Sequence, residues 1–508
     1  MPHKTRPYLF YDVALSICAT CYRKVEAKII FQDGQVYLLK RCPDHGSERV
    51  LIADDVDYYR RCRELFIKPP EMPLVYNTPV KWGCPYDCGL CTDHEQHSCL
   101  TLVEICDYCN LRCPVCYASS GPERQQFRNL DDVAKMLDAV VRNEGHPDVV
   151  QLSGGEPTVH PGFFEIIEMA KARPIRHLMV NTNGVRIAQE EEFVRRLAGY
   201  REDFEVYLQF DSFEREPLMQ LRGADLRRIR EDALEKLNRY NISTNLVVTL
   251  KKGLNDHEMG KTIDYAMQQP CVRGVTFQPI QDAGRADNFD PATGRLTLTE
   301  VRRKILEQTR VFRPEDIIPV PCHPDSLAMA YALKLDGKVT PLTRMIPPEV
   351  LISGASNTIL YEQEPAVREG IFKLFATNHS PQSSAGTLRE LLCCLPKVWI
   401  PATEPAAAAS AVPSKPGEPA QSGPQASLTY ENIFRVIIMQ FIDAHSFDVR
   451  SVKKTCVHIV HPDGRLIPFD TYNLFYRDDL EKTRLDPLRR RHDPGMQGPV
   501  AHTTGLAP

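Results

Sequence analysis

No run of the 508 residues approaches the ~20 consecutive apolar side chains that a membrane-spanning helix needs. The opening segment, MPHKTRPYLFYDVALSIC, has no apolar stretch of the kind a secretory signal carries. The expectation is a cytoplasmic chain, with peripheral contact at a membrane as the most it could make. A basic field is missing as well: 62 Lys and Arg stand against 66 Asp and Glu, a net charge of -4, so nucleic acid is not an expected partner. No repeat of solenoid length is visible. Cysteine, by contrast, is abundant. Seventeen are present, an odd number in close groups, with twelve between Cys18 and Cys116. That pattern excludes the disulfide framework of a small secreted domain and points to metal.

The length allows three or four domains. Pro401 to Ser427 holds six prolines and eight alanines and reads as a linker (401–427). Around it we expect a mononuclear metal module (1–68), an auxiliary iron-sulfur segment (69–100), a catalytic core (101–318), a C-terminal auxiliary domain (319–400 and 428–477) and a disordered tail (478–508).

Short β-branched runs at 100–106, 148–152, 177–181, 205–210, 244–250 and 274–279 alternate with stretches of helical period, such as Val133, Met136, Leu137 and Val140. Six such units predict an α/β fold, a partial (β/α)6 TIM-like barrel with its chemistry on loops at the C-terminal strand ends.

The conspicuous motifs fall at those ends. After the first strand comes Cys109-Asn-Leu-Arg-Cys113-Pro-Val-Cys116-Tyr117, three thiolates in one loop. A [4Fe-4S] cluster on three cysteines leaves one iron open to a substrate-like ligand, whereas electron carriers normally use four; zinc with Cys106 as fourth ligand is the alternative. The second strand ends in Ser153-Gly154-Gly155-Glu156-Pro157, which by itself could be a tight turn. Together the two motifs resemble those of the radical S-adenosylmethionine (SAM) enzymes. The resemblance implies that Cys109, Cys113 and Cys116 hold the catalytic cluster, with SAM held by Tyr117, Ser153, Gly154, Gly155, Glu156 and Pro157. The strand-end residues Asn181, Thr182, Asn183, Gln209, Asp211 and Gln278 would complete its pocket. It also implies that an electron passed to SAM releases a 5′-deoxyadenosyl radical, which takes hydrogen from an unactivated carbon. No general acid or base stands out.

Upstream, Cys84, Cys88 and Cys91, with Cys99 eight residues on, read as an auxiliary [4Fe-4S] cluster or a zinc knuckle. Cys18, Cys21 and Cys42 flank a hairpin with an Asp-Gly turn, a rubredoxin-like or zinc-ribbon-like module for one iron or zinc. Its fourth ligand is His45 or Cys62.

The order of these parts resembles the radical SAM subfamily of archaeal tetraether lipid synthase and 7,8-dihydro-6-hydroxymethylpterin dimethyltransferase. The likeness covers most of 10–330 and about 428–477. Three [4Fe-4S] clusters and one mononuclear iron are implied, but Ser326 and Asp470 stand where the family has cysteines. A third cluster would rest on Cys322 and Cys456 with Cys394, Asp470 or another ligand. The leading expectation is C–C coupling of lipid chains; the alternatives are C-methylation of a pterin-like heterocycle and an iron-sulfur electron carrier without SAM turnover. The expected partners are a lipid or small-molecule substrate and a ferredoxin- or flavodoxin-type electron donor. FRVIIMQFIDAHSF, at 434–447, reads as a core helix or as a lining for a lipid tunnel.

Overall fold

The structure is a computed structural model, and it describes residues 6–65, 71–287, 289–335, 338–344, 348 and 432–492. The linker, Cys393 and Cys394 lie outside the described residues.

An antiparallel four-stranded sheet comes first: β1 (Leu9–Ile17), β2 (Lys24–Gln32), β3 (Gln35–Cys42) and β4 (Gly46–Ala53), paired in that order. The β2–β3 turn places Asp33 and Gly34 at φ 53° and 76°, the twin left-handed positions that favour Asp-Gly in a two-residue hairpin. Helix α1 (Val56–Glu64), capped by the Asp55 carboxylate on Tyr58 N, buries Tyr58, Tyr59 and Cys62. Residues 71–99 contain no helix or strand and lead into the barrel.

The six expected strands are all present: β5 (Leu100–Cys106), β6 (Val149–Gly154), β7 (His177–Thr182), β8 (Phe204–Gln209), β9 (Thr244–Leu250) and β10 (Val272–Pro279). Each is parallel to the next. Their side chains are buried on both faces, as expected of a parallel sheet covered by helices. Helix α2 (Leu130–Glu144), capped by Asn129 on Asp132 N, turns Val133, Met136, Leu137 and Val140 into that core. Helix α3 (Arg215–Arg222) follows β8 and carries an arginine into the site described below.

The C-terminal region departs from the expected separate domain. Strand β11 (Leu327–Leu335) pairs antiparallel with β12 (Ile433–Met439), and β12 lies parallel to β10. Strand β13 (Val457–Val460) lies parallel to β5 at the opposite edge, with β14 (Leu466–Pro468) outside it. Both edges of the barrel sheet are thus extended by the C-terminal chain, in one twelve-stranded sheet. Of FRVIIMQFIDAHSF, read as a core helix or a tunnel lining, residues 434–439 lie in strand β12, buried throughout, and 440–447 are not helical. A short, unbroken apolar run does not distinguish helix from strand by period, and here cross-strand pairing decides. The tail also differs: residues 481–485 and α4 (Asp486–His492) are helical, with Leu485 and Leu488 buried and Arg489 donating to Tyr86 O at 2.8 Å. Among the described residues no helix is long and apolar enough to cross a membrane.

Candidate active site and metal centres

At the C-terminal ends of the barrel strands a cavity of about 170 Å³ is lined by Cys109, Cys113, Cys116, Tyr117, Gly154, Gly155, Glu156, Asn181, Thr182, Asn183, Gln209 and Gln278. These are expected site residues, and the fold brings them together. The cysteine loop is tied down from the far side of the barrel. Arg285 donates to Cys113 O and Ser120 O, each at 2.6 Å, and residues 285–286 pair with 115–116. A Cβ at Gly284 would meet Tyr117 O at 2.3 Å, so only glycine permits this approach. Nothing in the sequence pattern singled out Gly284 or Arg285.

The glycine pair is equally constrained. A Cβ at Gly154 would lie 2.2 Å from Cys106 O, and one at Gly155 would lie 1.9 Å from Tyr108 O. Glu156 is buried and saturated: Oε1 accepts from Thr158 N (3.2 Å), Thr158 Oγ1 (2.6 Å) and Thr182 Oγ1 (2.7 Å), and Oε2 accepts from Asn183 N (2.8 Å). Its carboxylate therefore fastens two strand-end loops together. A polar belt then runs around the strand ends. Tyr117 OH lies 2.8 Å from Ser153 Oγ, Asn181 Nδ2 donates to Ser153 Oγ (3.4 Å), and Gln209 Nε2 donates to Asn181 Oδ1 (2.8 Å).

Three expected residues do not line the cavity. Ser153 stands behind it as a support, and Pro157 opens a turn at 157–159. Asp211 is buried beneath Arg222 (2.6 Å) and Arg230 (2.8 Å), which hold its carboxyl low against the opposing pull of burial. Arg222 instead reaches the cavity wall, donating to Gln209 Oε1 at 2.8 Å and Thr249 Oγ1 at 2.9 Å. An arginine in the last turn of an amphipathic helix gives no sequence signal of that role.

The cysteine loop fits a cationic cluster chemically. Burial pushes the Cys109 and Cys113 thiols up, and the Glu156 charge adds to the effect on Cys109. Such thiols give up their protons only to a strong local positive charge, which a metal centre provides.

The N-terminal set closes more tightly. Cys21 Sγ is 3.8 Å from Cys42 Sγ, and His45 Nδ1 is 3.6 Å from Cys18 Sγ and 3.5 Å from Cys42 Sγ. Ligand bonds of ~2.0–2.3 Å at tetrahedral angles would separate donor atoms by about 3.5–3.8 Å. Burial pushes the Cys42 thiol up, but the His45 contact and backbone amides outweigh it and bring it down to about 6. Cys62 lies apart in the main core, its thiol pushed up to about 12 by burial, so His45 is the fourth member of the set.

The remaining cysteines regroup. Cys88 neighbours Cys84 and Cys91, whereas Cys99 joins Cys322 and Cys456, with all three sulfurs within 4.8 Å of one another. Cys322 Sγ is 3.3 Å from Cys456 Sγ, and His97 Nε2 is 3.5 Å from Cys99 Sγ. Cys99 converges with Cys322 and Cys456, partners far from it in sequence, because it stands at the entry to β5, beside β13 and its neighbour Cys456. Asp470 and Ser326 are both buried, and Asp470 is not a member of the Cys99, Cys322 and Cys456 group.

Residues 103–266 match the radical SAM superfamily profile, and residues 10–54 match the "HMPTM N-terminal zinc ribbon domain". Over 95% of its length the chain is 30% identical to the 7,8-dihydro-6-hydroxymethylpterin dimethyltransferase of Methanocaldococcus jannaschii, covering 97% of that protein. The chain belongs to this family of radical SAM enzymes. The core is more widely shared: the GTP 3′,8-cyclase of Alkaliphilus oremlandii is 28% identical over 46% of this chain and 68% of its own. Streptococcus suis SuiB bound to SAM overlaps 41% of this chain and 46% of its own at 17% identity, with a TM-score of 0.34, too slight a likeness to bear on the arrangement. As a radical SAM enzyme the chain binds SAM and a [4Fe-4S] cluster, which sets aside the expectation of an electron carrier.

Proposed function

We propose that this radical SAM enzyme C-methylates a pterin-like heterocycle, with Cys109, Cys113 and Cys116 holding the SAM-binding cluster. The observation that carries the reading is the near full-length relationship, from the zinc-ribbon match to the C-terminal strands, to a dimethyltransferase of that substrate class. The lipid-coupling expectation has no such relationship behind it, although Met439, Phe441 and Ile442 of the 434–447 segment do line the cavity.

When bound, the reduced cluster and SAM together supply a 5′-deoxyadenosyl radical able to take hydrogen from an unactivated carbon. The chain's own residues orient and enclose. Gly154 and Gly155 let the backbone approach where any side chain would collide, and Glu156 fixes Thr182 and Asn183 beside Cys109. Arg222, held by the Asp211 carboxylate, sets its guanidinium in the cavity wall, where it donates to Gln209 at the end of β8. Tyr117, Phe441 and Phe469 form an aromatic wall, with Phe441 and Phe469 stacked at 3.9 Å between centroids. Cys18, Cys21, Cys42 and His45 would hold one tetrahedral ion. Cys84, Cys88 and Cys91 would hold an auxiliary cluster, and Cys99, Cys322 and Cys456 a further centre. A ferredoxin- or flavodoxin-type donor would supply electrons.

The test is anaerobic turnover of the reconstituted enzyme with SAM, a low-potential reductant, a methylene- or methyl-donor mixture and 7,8-dihydro-6-hydroxymethylpterin, followed by mass spectrometry. The reading expects a product heavier by one or two methyl groups. Recovery of unchanged pterin while 5′-deoxyadenosine accumulates would refute it.

A further inference from the structure

Several buried carboxylates in this protein come with arginines. Glu104 is paired with Arg477 (2.8 Å), Glu205 with Arg435 (2.8 Å), Asp211 with Arg222 and Arg230, and Asp443 with Arg295. Glu156 has no arginine but accepts from four donors. Asp470 has neither arrangement, and in this it resembles Glu258, which accepts from Ser212 Oγ and Phe213 N; of the two, Asp470 lines the cavity. It is 2% exposed and lies on the cavity wall directly after Phe469. Oδ1 accepts from Ile442 N at 2.6 Å and Oδ2 from Thr455 Oγ1 at 2.9 Å. No Lys or Arg among the described residues makes a salt bridge with it; the charged neighbour that acts on it is Asp443, another anion.

A buried carboxylate without a cation is costly, and each of its oxygens can accept more than one hydrogen bond. Two acceptor oxygens side by side match one common donor pattern: the ring N–H and exocyclic amino group along the edge of a 2-amino-4-oxopyrimidine ring. The adjacent surface suits the same ligand. Phe441 lines the cavity, stacked against Phe469 on one side and left half-buried, which allows a flat heterocycle to extend the stack.

We propose that Asp470 is the specificity residue that reads the 2-amino-pyrimidinone edge of the substrate. The inference rests on the pterin-class reading above and adds which atoms of the ring are recognised and by what. Asp470 is a binding group; the hydrogen-abstraction step needs nothing from it.

The test compares binding of 6-hydroxymethylpterin with that of 6-hydroxymethyllumazine, which carries a 2-oxo group in place of the 2-amino group. Affinities are read by ring fluorescence on the reconstituted, SAM-loaded enzyme. Wild type should favour the pterin by roughly 10- to 100-fold, since the lumazine sets an acceptor against the carboxylate. Asp470→Asn can keep the bond from Ile442 N through Oδ1 and place its amide N–H on Thr455 Oγ1, and it should bring the two ligands to near parity. Retained pterin preference in Asp470→Asn would overturn the role of Asp470 while leaving the pterin reading intact. Weakened SAM binding with an unchanged ligand ratio would also overturn it, by assigning Asp470 to the cofactor. Binding of neither ring by wild type would overturn both readings. Should the variant misfold, parity between the two rings in wild type is by itself enough to refute the proposal.

Discussion

An alanine at Gly155 would need to place its Cβ 1.9 Å from Tyr108 O, so the link between β5 and the cysteine motif must move to admit it. A displacement of that order at a reacting centre costs about 100-fold or more. Gly155→Ala is therefore expected to lower 5′-deoxyadenosine formation by that factor while iron content stays near wild type, a difference seen by chromatography alongside iron analysis. At the N-terminal set, Cys42→Ser or His45→Ala should remove one metal ion per chain by elemental mass spectrometry, and Cys62→Ala should remove none. These residues were legible in the sequence because their chemistry imposes spacing: knuckles need cysteines two or three apart, and a close backbone approach needs glycine. Asp211 and Arg222 were not legible. Which of two polar groups faces a cavity depends on the ion pair they form with each other, and that pair spans a strand end and a helix.

At the scale of elements, the C-terminal chain is fastened to the barrel by buried charge. Arg435 on β12 donates twice to Glu205 on β8, at 2.8 and 3.0 Å. Arg435→Met would leave that buried carboxylate with the more distant His177, at 3.7 Å, and should cost on the order of 3 kcal/mol in urea unfolding. A second tie is pH-dependent. His445 lies 3.6 Å from Asp282, after β10, and 2.6 Å from Glu48, on β4. Asp282 first and Glu48 second raise its pKa to about 9. Because the folded value lies above the unfolded one, the added stability is complete below about pH 6.5 and is lost as pH rises through about 9. Allowing for solvent screening, it amounts to on the order of 1 kcal/mol. Chemical denaturation at pH 6 and pH 9.5 should show that loss in wild type and little of it in His445→Gln. The six parallel strands could be read from sequence because strands buried on both faces are continuous β-branched runs between turn residues. Strand β12 could not: FRVIIMQ has the same composition as a buried helix, and only its partners β10 and β11 make it a strand.

Over the whole molecule, the main lesson concerns which cysteines converge. Their number and local spacing marked the radical SAM loop and the N-terminal set, but adjacency in sequence did not show that Cys99 meets Cys322 and Cys456. The sheet brings Cys99 to Cys456, which lies 357 positions later, and to Cys322. The short spacing of that group suits a single ion more than a cubane, so anaerobically reconstituted protein should hold roughly eight irons and up to two single ions. Cys322→Ser should reduce the single-ion count and leave the iron of the other centres in place. The most direct measurement of the whole account is 5′-deoxyadenosine release from SAM and dithionite, in wild type and in a Cys109→Ala, Cys113→Ala, Cys116→Ala triple variant. The account predicts release by wild type and none by the triple variant with its remaining metal retained. Equal release from both would contradict it.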